Sequence, residues 1–145
     1  MTDTFPTLPR LADLRLVTLP VMGDLGGDWL AVMEDSRVGM AIRRVFTVHA
    51  DQPTHRGEHA HRRCNQVLVC QIGRIEVICD DGTDKSVTVL DTPGKGLFIP
   101  AGIWAAQDYD AESLLTVLCD QPYDESDYFR NYEDFLAYRA QGKGE

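Results

Sequence analysis

The chain has no run of about 18 apolar residues, and no basic segment leading into an apolar stretch opens it. Neither a membrane-spanning helix nor a secretory leader is expected, and the cytoplasm is the expected location. It also lacks an excess of positive charge. Its 14 Lys and Arg stand against 23 Asp and Glu, a formal net charge of −9 with a pI near 4.8. A nucleic-acid backbone demands a broad basic face, so nucleic acid is not an expected partner, and any anionic ligand must be held by locally concentrated positive charge. No CxxC pair occurs among Cys64, Cys70, Cys79 and Cys119, and cysteines so placed do not suggest a disulfide scaffold. Cys70, Cys79 and Cys119 lie in apolar or alternating runs, where a thiol packs as a small hydrophobe. Internal repeats and low-complexity tracts are missing too, so residues 1–145 read as one domain. With 43% hydrophobic and 26% charged residues, that domain can bury a core without disulfides or a structural metal.

What the sequence does contain is a succession of short extended segments. Residues 1–13, with Pro6 and Pro9 and little periodicity, read as a loosely held arm. Strand candidates follow in LRLVTLP (14–20), WLAVME (29–34), AIRRVFTVHA (41–50), HAHRRCNQVLVCQ (59–71) and GRIEVICDDGT (73–83). KSVTVLD (85–91), GLFIPAGIW (96–104) and SLLTVLCD (113–120) complete the series. Glycine- and proline-rich turns such as GDLGGDW and TPGKG separate them, and DQPTHRGE (51–58) reads as a loop. Alternation over 41–50 puts Ile42, Arg44, Phe46 and Val48 on one face, with Arg43, Val45 and Thr47 on the other. So many short strands at regular spacing predict an all-β fold, an antiparallel sandwich or barrel. Only the end differs. There Ser126 or Asp127 is a candidate N-cap, and Tyr128, Tyr132, Phe135 and Tyr138 recur at helical spacing. This predicts a short helix over about 126–141, docked by its aromatic stripe. The run Asp124, Glu125, Asp127 reads as a solvated face complementing the helix N-terminus.

The stretch THRGEHAHRRCNQVLVCQIGR (54–74) gathers His55, His59 and His61 with Arg56, Arg62 and Arg63. His59 and His61 are two residues apart, so on a strand both rings point to one face. With Gln66 and Gly73 downstream, the pattern resembles the first motif of cupin β-barrels: H-x-H, a carboxylate, then a glycine. GKGLFIPAGIWAAQDY (94–109), with Gly94, Pro100 and Gly102, resembles the second, and together they imply a jelly-roll cupin barrel. Metal-binding cupins offer three histidines and a glutamate, whereas the last two of these positions hold Gln66 and Ala105 here. A neutral amide is a poor partner for a divalent cation and alanine offers nothing. Two histidines fall short of the three protein ligands a catalytic metal takes, and His55 sits out of register. Neither a metal nor a cofactor is expected. A metal-free imidazole pair suits proton transfer beside a carbonyl, because imidazole takes and returns a proton at modest cost near neutral pH. Arg44, on an otherwise apolar face, and Arg56, before Gly57, are candidate phosphate ligands. Trp104 is a candidate to stack on a planar ring.

The likeness then sharpens. RGEHAHRRCNQVLVCQIGRIEVICDDG (56–82) resembles the RG-x-HAH…Q-LVC…G…DDG signature of nucleotide-sugar 3,4-ketoisomerases. YDESDYFRNYEDF (123–135) resembles that family's Y-D-E-x-DY-x-R-x-Y-x-x-F tail, and the similarity spans about residues 24–136. The resemblance implies a metal-free cupin homodimer with exchanged N-terminal strands. Its reaction would convert a dTDP-4-keto-6-deoxyhexose to the 3-keto isomer, supplying 3-amino-deoxysugars. By the same resemblance His59 is the base moving a proton between C3 and C4, and His61 assists or relays. Arg44 and Arg56 place the substrate and its diphosphate, and Phe46, Gln66, Trp104 and Arg130 complete the expected substrate contacts. Two positions depart from the family: Phe46 replaces a strand tyrosine, and Ala105 replaces the histidine that follows the tryptophan. They leave open a different 4-keto sugar, an epimerase-like outcome, or a non-catalytic nucleotide-sugar-binding cupin.

Overall fold

In the computed structural model, which describes residues 7–143, the alternating segments assemble into two five-stranded antiparallel sheets. The first runs β1 (Arg15–Thr18), β9 (Lys95–Ile99), β6 (Gln66–Ile72), β11 (Ser113–Cys119), β4 (Arg44–Ala50). The second runs β12 (Tyr128–Phe129), β5 (Thr54–His61), β10 (Trp104–Tyr109), β7 (Ile75–Asp80), β8 (Lys85–Leu90). A ribbon of β2 (Val21–Gly23) and β3 (Trp29–Ala31) and a single turn, α1 (Asp35–Val38), follow the first strand. Among the described residues no ladder joins the two large sheets, so the jelly roll is an open sandwich rather than a closed barrel.

The main core lies between the sheets, where Leu68, Cys70, Leu115, Val117 and Cys119 meet Ile75, Val77, Cys79 and Tyr109. β6 is buried on both faces: Val67 and Val69 pack behind it against Leu19, Val38 and Leu118. That explains its continuous apolar run, where a half-exposed strand would alternate. Each such side chain contributes roughly 1.5–3 kcal/mol by burial. Ile42 precedes β4 and joins this rear cluster, so it does not share the face of Arg44 as alternation suggested.

Residues 54–58, read from sequence as loop, are strand. β5 begins at Thr54 and pairs with β10 through Thr54↔Tyr109, His55↔Asp108, Arg56↔Gln107 and Gly57↔Ala106, then resumes at His59↔Ala105. Glu58 is the extra residue of a β-bulge, with Gly57 at φ 96 and Glu58 at φ 63. Simple alternation would put Arg56 and His59 on opposite faces, three residues apart. The bulge brings both to the inner face. Gly57 is required there twice over, because a Cβ would lie 2.9 Å from Ala106 Cα and 3.0 Å from the Ala105 carbonyl oxygen. Gly57→Ala is expected to lose about 1–2 kcal/mol from the left-handed backbone alone, with the clash adding to it, as a lower urea midpoint would report.

The C-terminal segment also differs from expectation. The 3₁₀ turn Glu125–Asp127 leads into β12, and the helix α2 (Tyr132–Lys143) starts later than residue 126. Its cap is Asn131, whose Oδ1 accepts the Asp134 amide at 3.0 Å, and neither Ser126 nor Asp127 serves. Asp124 instead caps the 3₁₀ turn through the Ser126 amide, 3.0 Å away. Phe135 is buried with Ala60, Trp104 and Phe129, and Tyr132 and Tyr138 pack beside them, so the helix covers the outer face of the second sheet. Tyr128 leaves the stripe: β12 pairs it with His61 and its ring turns to the histidines. At the other end, β1 pairs with β9 of its own chain, Arg15↔Phe98 to Thr18↔Lys95. No described helix is long and apolar enough to cross a membrane.

Candidate active site

Between the sheets lies a cavity of about 170 Å³ lined by Phe46, Arg56, His59, Gln66, Gln107 and Arg130 among others. Behind it a recess of about 10 Å³ is lined by His59, His61, Cys64, Gln66 and Ala105. The recess has room for about one water. His59 borders both spaces, while His61 borders only the recess.

The two imidazoles meet edge to face with centroids 5.2 Å apart. Tyr128 closes the group, its ring 4.3 Å from His61 and 5.2 Å from His59. Burial, and next the neighbouring His61, push His59 down to about 4, with Arg130 and Arg44 adding to the shift. At neutral pH it is therefore an uncharged ring with a free lone pair. His61 is also shifted down by burial, against the pull of Asp127. The Asp127 carboxylate is itself buried and lies 2.9 Å from His61 Nδ1. It also accepts the backbone amides of Arg63 at 2.6 Å and Cys64 at 3.3 Å. A carboxylate held this way fixes the His61 tautomer with the proton on Nδ1, leaving a buried Nε2 that has no protein partner.

The arginines divide into three situations. Arg130 lines the cavity, donates to Glu125 through Nε at 2.7 Å and Nη2 at 3.0 Å, and lies over the Tyr128 ring at 4.2 Å. Arg56 lines the cavity from β5. Arg44 is half-buried, donates from Nη2 to the Tyr128 hydroxyl at 3.5 Å, and lies 5.5 Å from the centroids of Phe46 and Tyr123. Burial opposes its charge, but Tyr128 and Cys119 outweigh it and its pKa is raised. Its Nε is buried without a partner. These cations sit in a chain of net charge −9.

Of the residues singled out from sequence, His59, Arg56, Phe46, Gln66 and Arg130 line the main cavity, with His61 and Ala105 in the recess. Trp104 does not join them. It is 6% exposed, packed on Tyr132 and Phe135 on the outer side of the sheet, and donates from Nε1 to Glu58 at 3.3 Å. Ala105 faces inward, and its neighbour on a strand must face outward. His55 is likewise outside, held between Asp108 at 2.5 Å and Glu58 at 2.6 Å, whose hydrogen bonds raise its pKa. Sequence reasoning missed Asp127, Tyr128, Gln107 and Tyr109. For the first two the tail motif was the available signal; for the others, inward register with Ala105 along β10.

The profile described as FdtA, WxcM-like, C-terminal, matches residues 12–140. The chain belongs to the FdtA family. One FdtA-like relative is the TDP-4-oxo-6-deoxy-alpha-D-glucose-3,4-oxoisomerase of Aneurinibacillus thermoaerophilus, 36% identical over 130 residues, 87% of this chain and 92% of that protein. Among solved structures, QdtA, a sugar 3,4-ketoisomerase from Thermoanaerobacterium thermosaccharolyticum in complex with TDP, superposes with a TM-score of 0.84. It is 27% identical, over 91% of this chain and 98% of that one. A histidine-to-asparagine mutant of QdtA in complex with TDP-4-keto-6-deoxyglucose also matches with a TM-score of 0.84, at 27% identity over 91% and 97% of the two chains.

Proposed function

We propose that this FdtA-family chain is a nucleotide-sugar 3,4-ketoisomerase that converts a TDP-linked 4-keto-6-deoxyhexose to its 3-keto isomer, in 3-amino-deoxysugar biosynthesis. The observation that carries the reading is an uncharged, half-buried His59 opening on a cavity that Arg56 and Arg130 also line. The reaction is redox-neutral within the sugar. His59 removes the proton from C3, the electron pair forms the C3–C4 double bond, and the C4 carbonyl becomes an enediolate oxygen. Return of a proton to C4 and loss of the C3 hydroxyl proton leave a ketone at C3. No external oxidant or reductant enters the balance. His61, held through Nδ1 by Asp127, relays protons behind His59. Arg44, Arg56 and Arg130 place the sugar and its diphosphate. Phe46 supplies no hydroxyl, and the Tyr109 hydroxyl on the same cavity, with a pKa raised to about 12 by burial, is the protonated group nearest in kind.

The assembly we propose is a homodimer, with the N-terminal strand exchanged onto the β9 edge that β1 occupies in the single chain. Leu16, Met22 and Leu30, each more than half exposed, give the N-terminal strands apolar surface for such a partner to cover. We place the enzyme in the cytoplasm, a reading supported by four buried, free cysteines.

The test is incubation with TDP-4-keto-6-deoxyglucose followed by NMR of the sugar. A 3-keto product at catalytic enzyme levels is expected, and substrate recovered unchanged overturns the assignment. Arg44→Lys keeps the charge but loses the planar fork. It is expected to weaken substrate binding by roughly 10- to 100-fold, the equivalent of about 1.5–3 kcal/mol for hydrogen bonds to a charged group. Steady-state kinetics would show this as a raised KM with a smaller change in kcat.

A further inference from the structure

One buried cluster is only partly used by the proton-transfer chemistry. A nitrogen of His61, the Cys64 sulfur and a carboxylate oxygen of Asp127 all lie within 4.8 Å of one another, and all three residues are buried. Two of the three stand outside the cupin positions where Gln66 and Ala105 replace ligands. We propose that His61, Cys64 and Asp127 bind a thiophilic divalent cation, zinc in particular, and that this cation inhibits the enzyme by occupying the relay histidine.

The donor set suits the ion: an imidazole, a thiolate and a carboxylate are three of the ligand types zinc takes. In a tetrahedral site with bonds near 2.1 Å, nitrogen and oxygen ligands stand about 3.4 Å apart. His61 Nδ1 and Asp127 Oδ2 are 2.9 Å apart, so the pair needs to open by about half an ångström. The outer partners are in place. Backbone amides of Arg63 and Cys64 hold Asp127. The Cys64 thiol donates to the Cys119 sulfur, which also accepts from Gln66 Nε2 at 3.4 Å, so a second sulfur stands beside the first. Access runs through the recess, which His61 and Cys64 line and which shares His59, Gln66 and Gln107 with the main cavity.

Charge closes as well. A dication with one thiolate and one carboxylate is neutral overall, which removes most of the cost of burying charge. Binding releases one proton, from Cys64. The imidazole stays neutral, its proton moving from Nδ1 to Nε2. That shift fills the lone pair through which His61 would relay.

Cobalt(II), a spectroscopic stand-in for zinc, tests the site on the whole chain after chelator treatment. Titration is expected to give a thiolate-to-cobalt charge-transfer band in the near ultraviolet, saturating at one equivalent per chain and discharged by zinc. Cys64→Ser is expected to abolish the band, and Asp127→Asn to weaken binding by at least about tenfold, with circular dichroism confirming that both fold. Cys70→Ser, elsewhere in the core, is expected to keep it. No charge-transfer band in the parent, or a band that survives Cys64→Ser, overturns the proposal. The inhibition arm rests on the isomerase reading: zinc is expected to slow the parent and to spare Cys64→Ser. Because the cobalt spectrum needs no substrate, it decides the binding claim whatever the outcome of the isomerase assay.

Discussion

Replacing His59 with asparagine is expected to lower turnover by roughly 10²- to 10⁴-fold, the range a positioned general base contributes. The side chain borders the main cavity and, with burial and His61 pushing it down to about 4, stays uncharged across the neutral range. Asparagine keeps polarity and approximate bulk but cannot accept and return a proton. Affinity for TDP is expected to change little, because Arg56 and Arg130 line the cavity from other positions, two residues before the bulge and just after β12. Calorimetric titration with TDP beside steady-state assays separates the two effects. Equal losses in binding and turnover would make His59 a substrate ligand and remove it as the base.

Asp127→Asn is expected to damage both stability and rate. The native carboxylate takes three donors: His61 Nδ1–H and the amides of Arg63 and Cys64. An asparagine at the same place presents an NH₂ group to at least one of them, leaving buried donors facing each other. One unsatisfied buried group costs about 1–3 kcal/mol, which chemical denaturation would register. Loss of the carboxylate also frees His61 to carry its proton on Nε2, so turnover is expected to fall about 10- to 100-fold, as for other outer partners that orient a histidine. Asp127→Glu, which keeps the charge, is expected to recover more of the rate than of the stability. If Asp127→Asn turns over normally, His61 does not need its brace and the relay role fails.

How much of this was legible in the sequence depended on the range of the contact. The spacing of His59 and His61 placed two rings on one face, because strand periodicity is local. The apolar run after Gln66 read only as a strand, and its burial on both faces emerged with the packing of Val67 and Val69 behind it. Arg56 reached the cavity for a reason alternation contradicts: the bulge at Glu58 resets the phase, and only the Arg-Gly dipeptide hinted at it. Trp104 was misplaced against the same rule, since Ala105 facing inward requires its neighbour to face out. Asp127 was the largest miss. An acidic run near a helix start reads as solvated, and its partners lie more than sixty positions earlier, at the end of β5 and in the β5–β6 connection. Nothing local distinguishes a carboxylate that turns inward to bond a distant loop.

The central claim is that this fold moves a proton from C3 to C4 of a keto sugar through His59. The most direct measurement is proton NMR of TDP-4-keto-6-deoxyglucose incubated with the enzyme in deuterated buffer. The expected result is loss of the C3 proton signal with appearance of a 3-keto isomer carrying deuterium at C4, both absent with His59→Asn. A C3 proton that persists while TDP-sugar binds tightly would contradict it and leave a binding protein on a ketoisomerase scaffold.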